Sequence, residues 1–124
     1  MAPAPIEELL GQHPDVEACS VTGAHFAQPF ALLLLSAAAM ARSQDASERQ
    51  ALQASLAAHL QSVNAQLEAH EKLDFLAVVA DTWTPENGMV TPTLKVKRAR
   101  IEEVYGAQYA LWLGQKQPVV WAKA

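Results

Sequence analysis

Phe30-Ala31-Leu32-Leu33-Leu34-Leu35-Ser36 is the stretch on which the fold turns. The apolar run continues to Ala41 and stops at Arg42, well short of the roughly 18 residues that a membrane span needs. It therefore reads as a buried strand and its exit. Upstream, Val16 to Val21 has the composition of a second strand, joined to the first by a loop containing Gly23 and Pro29, and hairpin pairing is expected. Ahead of both, Pro5 can occupy the first position of a short helix. Ile6, Leu9 and Leu10 stand at helical spacing, and Gly11 followed by His13-Pro14 forms the stop.

Downstream the clearest helix begins near Ser47, which can cap it with Gln50 three residues on. Leu52, Leu56, Leu60, Val63 and Leu67 mark one face at spacings of four and three. Leu73 to Ala80 reads as a third, mostly buried strand. Ile101, Val104, Tyr105, Leu111 and Trp112 would form the apolar face of a last helix, with Gly106 weakening its second half. Strands and helices interleave without internal repeats. The expected class is α+β: a small two-layer domain, a short sheet packed with helices, its strand order open. A chain of 124 residues, 51% of them hydrophobic, suits one such unit. Cys19 alone cannot form an internal disulfide, which fits a reducing compartment and a cytoplasmic location. No basic segment leads into an apolar run near Met1, so no secretory leader is expected.

Charge is distributed unevenly along the chain. Residues 1–86 hold eleven of the thirteen acids against Arg42, Arg49 and Lys72, whereas Lys95, Lys97, Arg98 and Arg100 crowd into six positions of a chain with net charge -4. Such focusing suits a phosphate or another anionic group held at one place better than a long nucleic acid, which needs a broad basic face. A short cationic run opening a helix is also, in most proteins, a solvated surface. What distinguishes this one is its approach. Asn87-Gly88 is a strong turn signal, and Pro92 stiffens the path to Lys95. If the segment is extended, Lys95 and Lys97 share one face while Leu94 and Val96 anchor the other.

Other candidate groups are weaker. His13, His25, His59 and His70 include no pair at the i, i+4 spacing of a helical zinc site, and no metal site is expected. Glu7-Glu8 suits the first turn of a helix, and Glu102-Glu103 lies beside the basic run, so both have structural readings. Cys19 in a strand reads as a small core residue rather than a nucleophile. There is no glycine-rich phosphate loop and no Gly-x-Ser-x-Gly elbow in the sequence.

The segment from Trp83 to Arg98, followed by Ile101-Glu102-Glu103-Val104-Tyr105, resembles the end of AMP-forming long-chain fatty acyl-CoA synthetases, members of the adenylate-forming enzyme family. Ala2-Pro3-Ala4-Pro5-Ile6-Glu7, His13-Pro14-Asp15-Val16-Glu17, Val21-Thr22-Gly23, Gln28-Pro29-Phe30-Ala31 and Pro118-Val119-Val120-Trp121 resemble other parts of the same C-terminal domain, in the same order. The resemblance implies that residues 1–124 are the mobile C-terminal lid of such an enzyme, without its N-terminal domain and hinge. It implies ATP, Mg2+ and coenzyme A as cofactors of the full-length enzyme and none for the fragment, which is expected to be inactive alone. Its implied partners are the N-terminal adenylation domain and a fatty acid, with no nucleic acid and with room for peripheral membrane contact. Lys95 matches the lysine of acyl-adenylate formation, where many relatives read Pro-Thr-Gly-Lys and this chain reads Pro92-Thr93-Leu94-Lys95. Thr93, Lys97 and Arg98 are the expected substrate-binding neighbours. The alternatives are a free-standing interaction module or a phosphate-binding module.

Overall fold

A computed structural model describes residues 3–22, 28–79, 83–93 and 95–121. The chain runs α1 (Pro3–Leu10), β1 (Val16–Thr22), β2 (Phe30–Leu35), α2 (Ala37–Arg42), α3 (Ala46–Asn64), β3 (Leu76–Val79), α4 (Arg98–Tyr105), α5 (Tyr109–Gly114) and β4 (Val119–Trp121). The four strands form one sheet in the order β1-β2-β3-β4. The expected hairpin is present as an antiparallel β1–β2 pair, with Cys19 opposite Leu33 and Thr22 opposite Phe30. β3 runs parallel to β2, and β4 parallel to β3.

The leucine run is central because it has no polar side to show to water. All six residues of β2 are buried, and the period of two divides them between two cores. Ala31, Leu33 and Leu35 join Leu76, Val78 and Val119 against Ile6 and Leu10 of α1 and Leu52, Leu56, Leu60 and Val63 of α3. Phe30, Leu32 and Leu34 join Ala77, Val79 and Val120 against Trp83, Met89 and Val90 and against Ile101, Tyr105, Tyr109 and Trp112 of α4 and α5. The domain is α+β, a short sheet packed with helices, and helical cover lies on both sheet faces. Phe30 links the strand to the second core by stacking on Phe75, centroids 4.6 Å apart, and by an edge contact with Tyr109 at 4.9 Å.

Several local expectations change. The cap of α3 is Asp45, not Ser47: the Asp45 carboxylate accepts from the Glu48 backbone N–H at 2.9 Å, and the helix is already under way at Ala46. Leu67 lies beyond the end of α3 and is only partly buried. The apolar run leaves β2 through a separate short helix, α2, capped by the Ser36 hydroxyl accepting from the Ala39 N–H at 3.2 Å. The expected last helix is two helices. A 3₁₀ turn at Gly106–Gln108 shifts the phase between them, so Tyr109 and Trp112 turn inward, whereas Val104 is 36% and Leu111 67% exposed. β4 was not read as a strand. His25 and Leu94 lie outside the described residues, as do Gly23 and Ala80.

Candidate functional site

Residues 83–97 connect β3 to α4 and form a braced loop. Its base is tied into the second core by Trp83, Met89 and Val90, all buried. The Thr84 N–H donates to Asn87 Oδ1 at 3.1 Å, while the Asn87 N–H donates to Thr84 Oγ1 at 3.2 Å. The Gly88 N–H closes the turn onto the Pro85 carbonyl at 3.2 Å, and Gly88 has φ of 77°, a value that L side chains rarely adopt. Asn87-Gly88 is thus a turn, although it is not the tip of the tight hairpin.

That hairpin follows at once. Val90 and Val96 form an isolated antiparallel bridge, and the Lys97 N–H donates to the Met89 carbonyl at 2.8 Å. The Thr91 N–H donates to the Lys95 carbonyl at 2.8 Å, and the Lys95 N–H donates to Thr91 Oγ1 at 3.0 Å. Thr93 Oγ1 lies 3.1 Å from Thr91 Oγ1. Val96 packs partly into the second core, whereas Thr93, Lys95 and Lys97 are exposed. Backbone and ammonium are therefore treated differently: the loop fixes the main chain of Lys95 and leaves its charge facing water. Among the described residues, neither Lys95 nor Lys97 forms an ion pair.

The neighbouring arginines are engaged elsewhere. Arg98 Nη2 sits 2.6 Å from Glu7 Oε1, and the other oxygen of that carboxylate accepts the Val21 N–H at 2.8 Å. One carboxylate thus joins α1, β1 and the start of α4. The first-turn dipole role expected for Glu7 is not what it performs, because α1 already starts at Pro3. Arg100 pairs with Glu103 across one helical turn and donates from Nε to the Asn87 carbonyl at 3.3 Å. Glu102 accepts from the Thr22 hydroxyl at 3.1 Å. Of the sequence-proposed cluster, the structure brings together Thr93, Lys95 and Lys97 on an exposed hairpin and ties Arg98 into the frame.

His13 and His59 serve packing. His13 Nδ1 accepts the Asp15 N–H at 3.0 Å, which leaves the proton on Nε2, 2.9 Å from Ser55 Oγ. Nε2 is then the donor, so this pair is the reverse of a base activating a serine. Burial, with a smaller push from His59, holds the His13 pKa below its ordinary value, partly opposed by Asp15. His59 Nε2 donates to the carbonyls of Leu9 and Leu10 at 3.0 and 3.1 Å, capping the end of α1. Cys19 has its pKa pushed up to about 12, first by burial and then by Glu7, which leaves a poor nucleophile. Among the described residues no three His, Cys, Asp or Glu side chains gather into a metal site. A cleft of about 530 Å³ lies between Asp74, Phe75, Leu113, Lys116, Gln117 and Pro118, away from every residue of the basic run.

Residues 1–109 match the family described as the AMP-binding enzyme C-terminal domain, and the chain belongs to it. No curated protein matches by sequence. Among solved structures, the fold is similar to the A-PCP didomain of carboxylic acid reductase from Segniliparus rugosus in complex with AMP, with a TM-score of 0.75 and 24% identity over 93% of this chain and 16% of that one. It is also similar to the adenylation domain of the carboxylate reductase from Mycobacterium chelonae, with a TM-score of 0.73 and 23% identity over 87% and 17% of the two chains. A third likeness is to the unliganded O-succinylbenzoate coenzyme A synthetase of Bacillus subtilis, with a TM-score of 0.50 and 20% identity over 83% and 17%. At these identities the likeness is one of fold. The chain spans about one sixth of the length of the proteins it resembles.

Proposed function

We propose that this chain is the mobile C-terminal lid of an AMP-forming acyl-CoA synthetase acting on long-chain fatty acids, and that Lys95 is its adenylation lysine. The observation that carries the reading is the division within the basic run: Lys95 combines a doubly bonded backbone with an exposed ammonium, while Arg98 and Arg100 are spent on ion pairs. In the reaction, a fatty acid carboxylate attacks the α-phosphorus of ATP, pyrophosphate departs, and acyl-adenylate remains. The phosphorus centre is anionic before attack and gains charge as the leaving group separates. A positioned ammonium offsets both, provided that closure excludes water. Thr93 and Lys97 would supply polar contact and field beside it. Mg2+ and coenzyme A belong in this reading to the complete enzyme, as does the cytoplasmic location. Nucleotide and acyl pockets lie in the N-terminal adenylation domain, and so does the choice of acyl chain. The isolated chain should release no pyrophosphate from ATP and fatty acid.

The test is rapid-quench kinetics of the two half-reactions in the full-length enzyme. Lys95→Ala should slow acyl-adenylate formation roughly 10²–10³-fold while sparing transfer from preformed acyl-adenylate to coenzyme A. Lys97→Ala should cost less, since it contributes field without the positioned contact. Equal losses in both half-reactions, or a larger loss for Lys97→Ala, would return the run to a solvated surface.

A further inference from the structure

Thr91 is tied to both backbone polar groups of Lys95. Its N–H donates to the Lys95 carbonyl at 2.8 Å, and its hydroxyl oxygen accepts the Lys95 N–H at 3.0 Å. The second of these bonds ends on a side chain, not on a main-chain carbonyl. The same hydroxyl lies 3.1 Å from that of Thr93. Since Oγ1 already accepts from Lys95, its own proton is free to go to Thr93 Oγ1, and the three residues form one chain of bonds. The base of the loop is fixed independently by the Val90–Val96 bridge and the Lys97–Met89 bond. Thr91 Oγ1 is thus the side-chain contact that sets the backbone of Lys95, and Lys95 is exposed, with no other side chain among the described residues holding its ammonium.

We infer that Thr91 is a positioning residue for Lys95: its hydroxyl fixes the peptide from which the lysine stem projects and so aims the ammonium. This inference rests on the reading of Lys95 as the adenylation lysine. A four-carbon stem amplifies any rotation at its root, and a displacement of about 1 Å at a reacting centre can cost on the order of 10²-fold in rate. Loss of one hydroxyl contact, with the hairpin bridge intact, should cost less, roughly tenfold.

The experiment compares Thr91→Val, Thr91→Ser and Lys95→Ala, and the Thr91→Val/Lys95→Ala double variant, in the full-length enzyme. Adenylation and thioester formation are each followed by rapid quench. Thr91→Val should lower the maximal adenylation rate about tenfold with the ATP KM little changed and thioester formation spared, and Thr91→Ser should restore it. In the Lys95→Ala background Thr91→Val should add no further loss, because the aimed group is gone. On the 124-residue chain, Thr91→Val should speed amide hydrogen exchange at Lys95 while leaving β1 and β2 protected. A normal rate in Thr91→Val beside a crippled Lys95→Ala would overturn the role of Thr91 and keep that of Lys95. A Thr91→Val loss that recurs in full without Lys95, or that Thr91→Ser does not relieve, assigns the effect to general loop damage and also overturns it. A normal rate in Lys95→Ala removes the underlying reading and this inference with it.

Discussion

Four cations within six residues meet two different fates. Lys95 and Lys97 stand on a hairpin whose hydrogen bonds are made by main chain and threonine hydroxyls, leaving both ammonium groups in water. Arg98 and Arg100, one and three residues further on, are consumed by Glu7, Glu103 and the Asn87 carbonyl. Adjacent charges of one sign thus form two regions: a reactive-looking tip, and a frame in which polar groups satisfy one another across elements. The difference is one of chemistry as well as place. A guanidinium presents a planar fork that suits carboxylates and carbonyls, whereas an ammonium is a compact charge free to follow a ligand.

The largest expected effect tests the tip. Lys95→Ala should remove 10²–10³-fold of adenylation in the full-length enzyme, roughly, yet change unfolding free energy by less than about 0.5 kcal/mol, as surface substitutions usually do. Urea unfolding beside the kinetic assay checks both halves, and a clear loss of stability would erase the contrast between the regions.

The frame should answer in the opposite sense. Glu7→Ala strands Arg98 and leaves the Val21 N–H, in a residue only 2% exposed, without its acceptor. The expected cost is about 1–3 kcal/mol, chiefly from the orphaned donor. Arg98→Ala should cost less, near or below about 1 kcal/mol, because that side chain is 45% exposed and the pair is screened on its side. Adenylation should change only a few-fold in either variant. Measuring both by urea unfolding would show whether Arg98 contacts substrate after all: a rate loss far exceeding the stability loss would move it from frame to tip.

How much of this was readable beforehand follows the range of each signal. β2 and α3 are written in local periodicity, so Leu32 to Leu35 and the Leu52, Leu56, Leu60 and Val63 stripe fell where expected. The last helix was read correctly at Ile101, Tyr105 and Trp112 but not as one helix: the pattern assumed one continuous phase, and the 3₁₀ turn at Gly106–Gln108 resets it, bringing in Tyr109 and turning out Leu111. β4 is three residues long, too short for any period to register. The Glu7–Arg98 pair spans 91 positions, and nothing in either local sequence announces the other. At the site, the turn and the basic cluster were legible, and a role for Lys95 came from resemblance. The Thr91 brace could have been read from a threonine four residues before a hairpin lysine, since short hydroxyl side chains commonly bond nearby main chain.

A pH profile probes the frame more gently. His13 is 6% exposed, keeps Nδ1 unprotonated to accept the Asp15 N–H, and has its pKa lowered by burial. The unfolded chain therefore takes up a proton at higher pH than the folded one. Stability should be full above the ordinary histidine value of 6.5, decline as pH falls through it, and level off once folded His13 is also protonated. One proton limits the slope to about 1.4 kcal/mol per pH unit. In His13→Asn, which can still accept the Asp15 N–H but does not titrate, the thermal midpoint should fall less between pH 7 and 5. An unchanged slope would assign the acid sensitivity to other groups.

The smallest effect concerns a flaw in the frame. Ser20 is fully buried in β1, opposite Leu32, and among the described residues its hydroxyl has no hydrogen-bond partner. Glu7 pairs with the Val21 N–H and Arg98, and Glu102 with the Thr22 hydroxyl, so Ser20 departs from the pairing that separates frame from tip. Removing the hydroxyl abolishes the cost of keeping it from water and opens only a small void. Ser20→Ala should therefore stabilise the chain by up to about 1 kcal/mol, visible as a higher urea midpoint at unchanged slope. The void sets a limit, because neighbouring atoms lose dispersion contact with the missing oxygen. Lower stability in Ser20→Ala would mean that the hydroxyl is satisfied in solution, and Ser20 would then join the paired groups of the frame, in contrast to Lys95 and Lys97, which among the described residues form no ion pair.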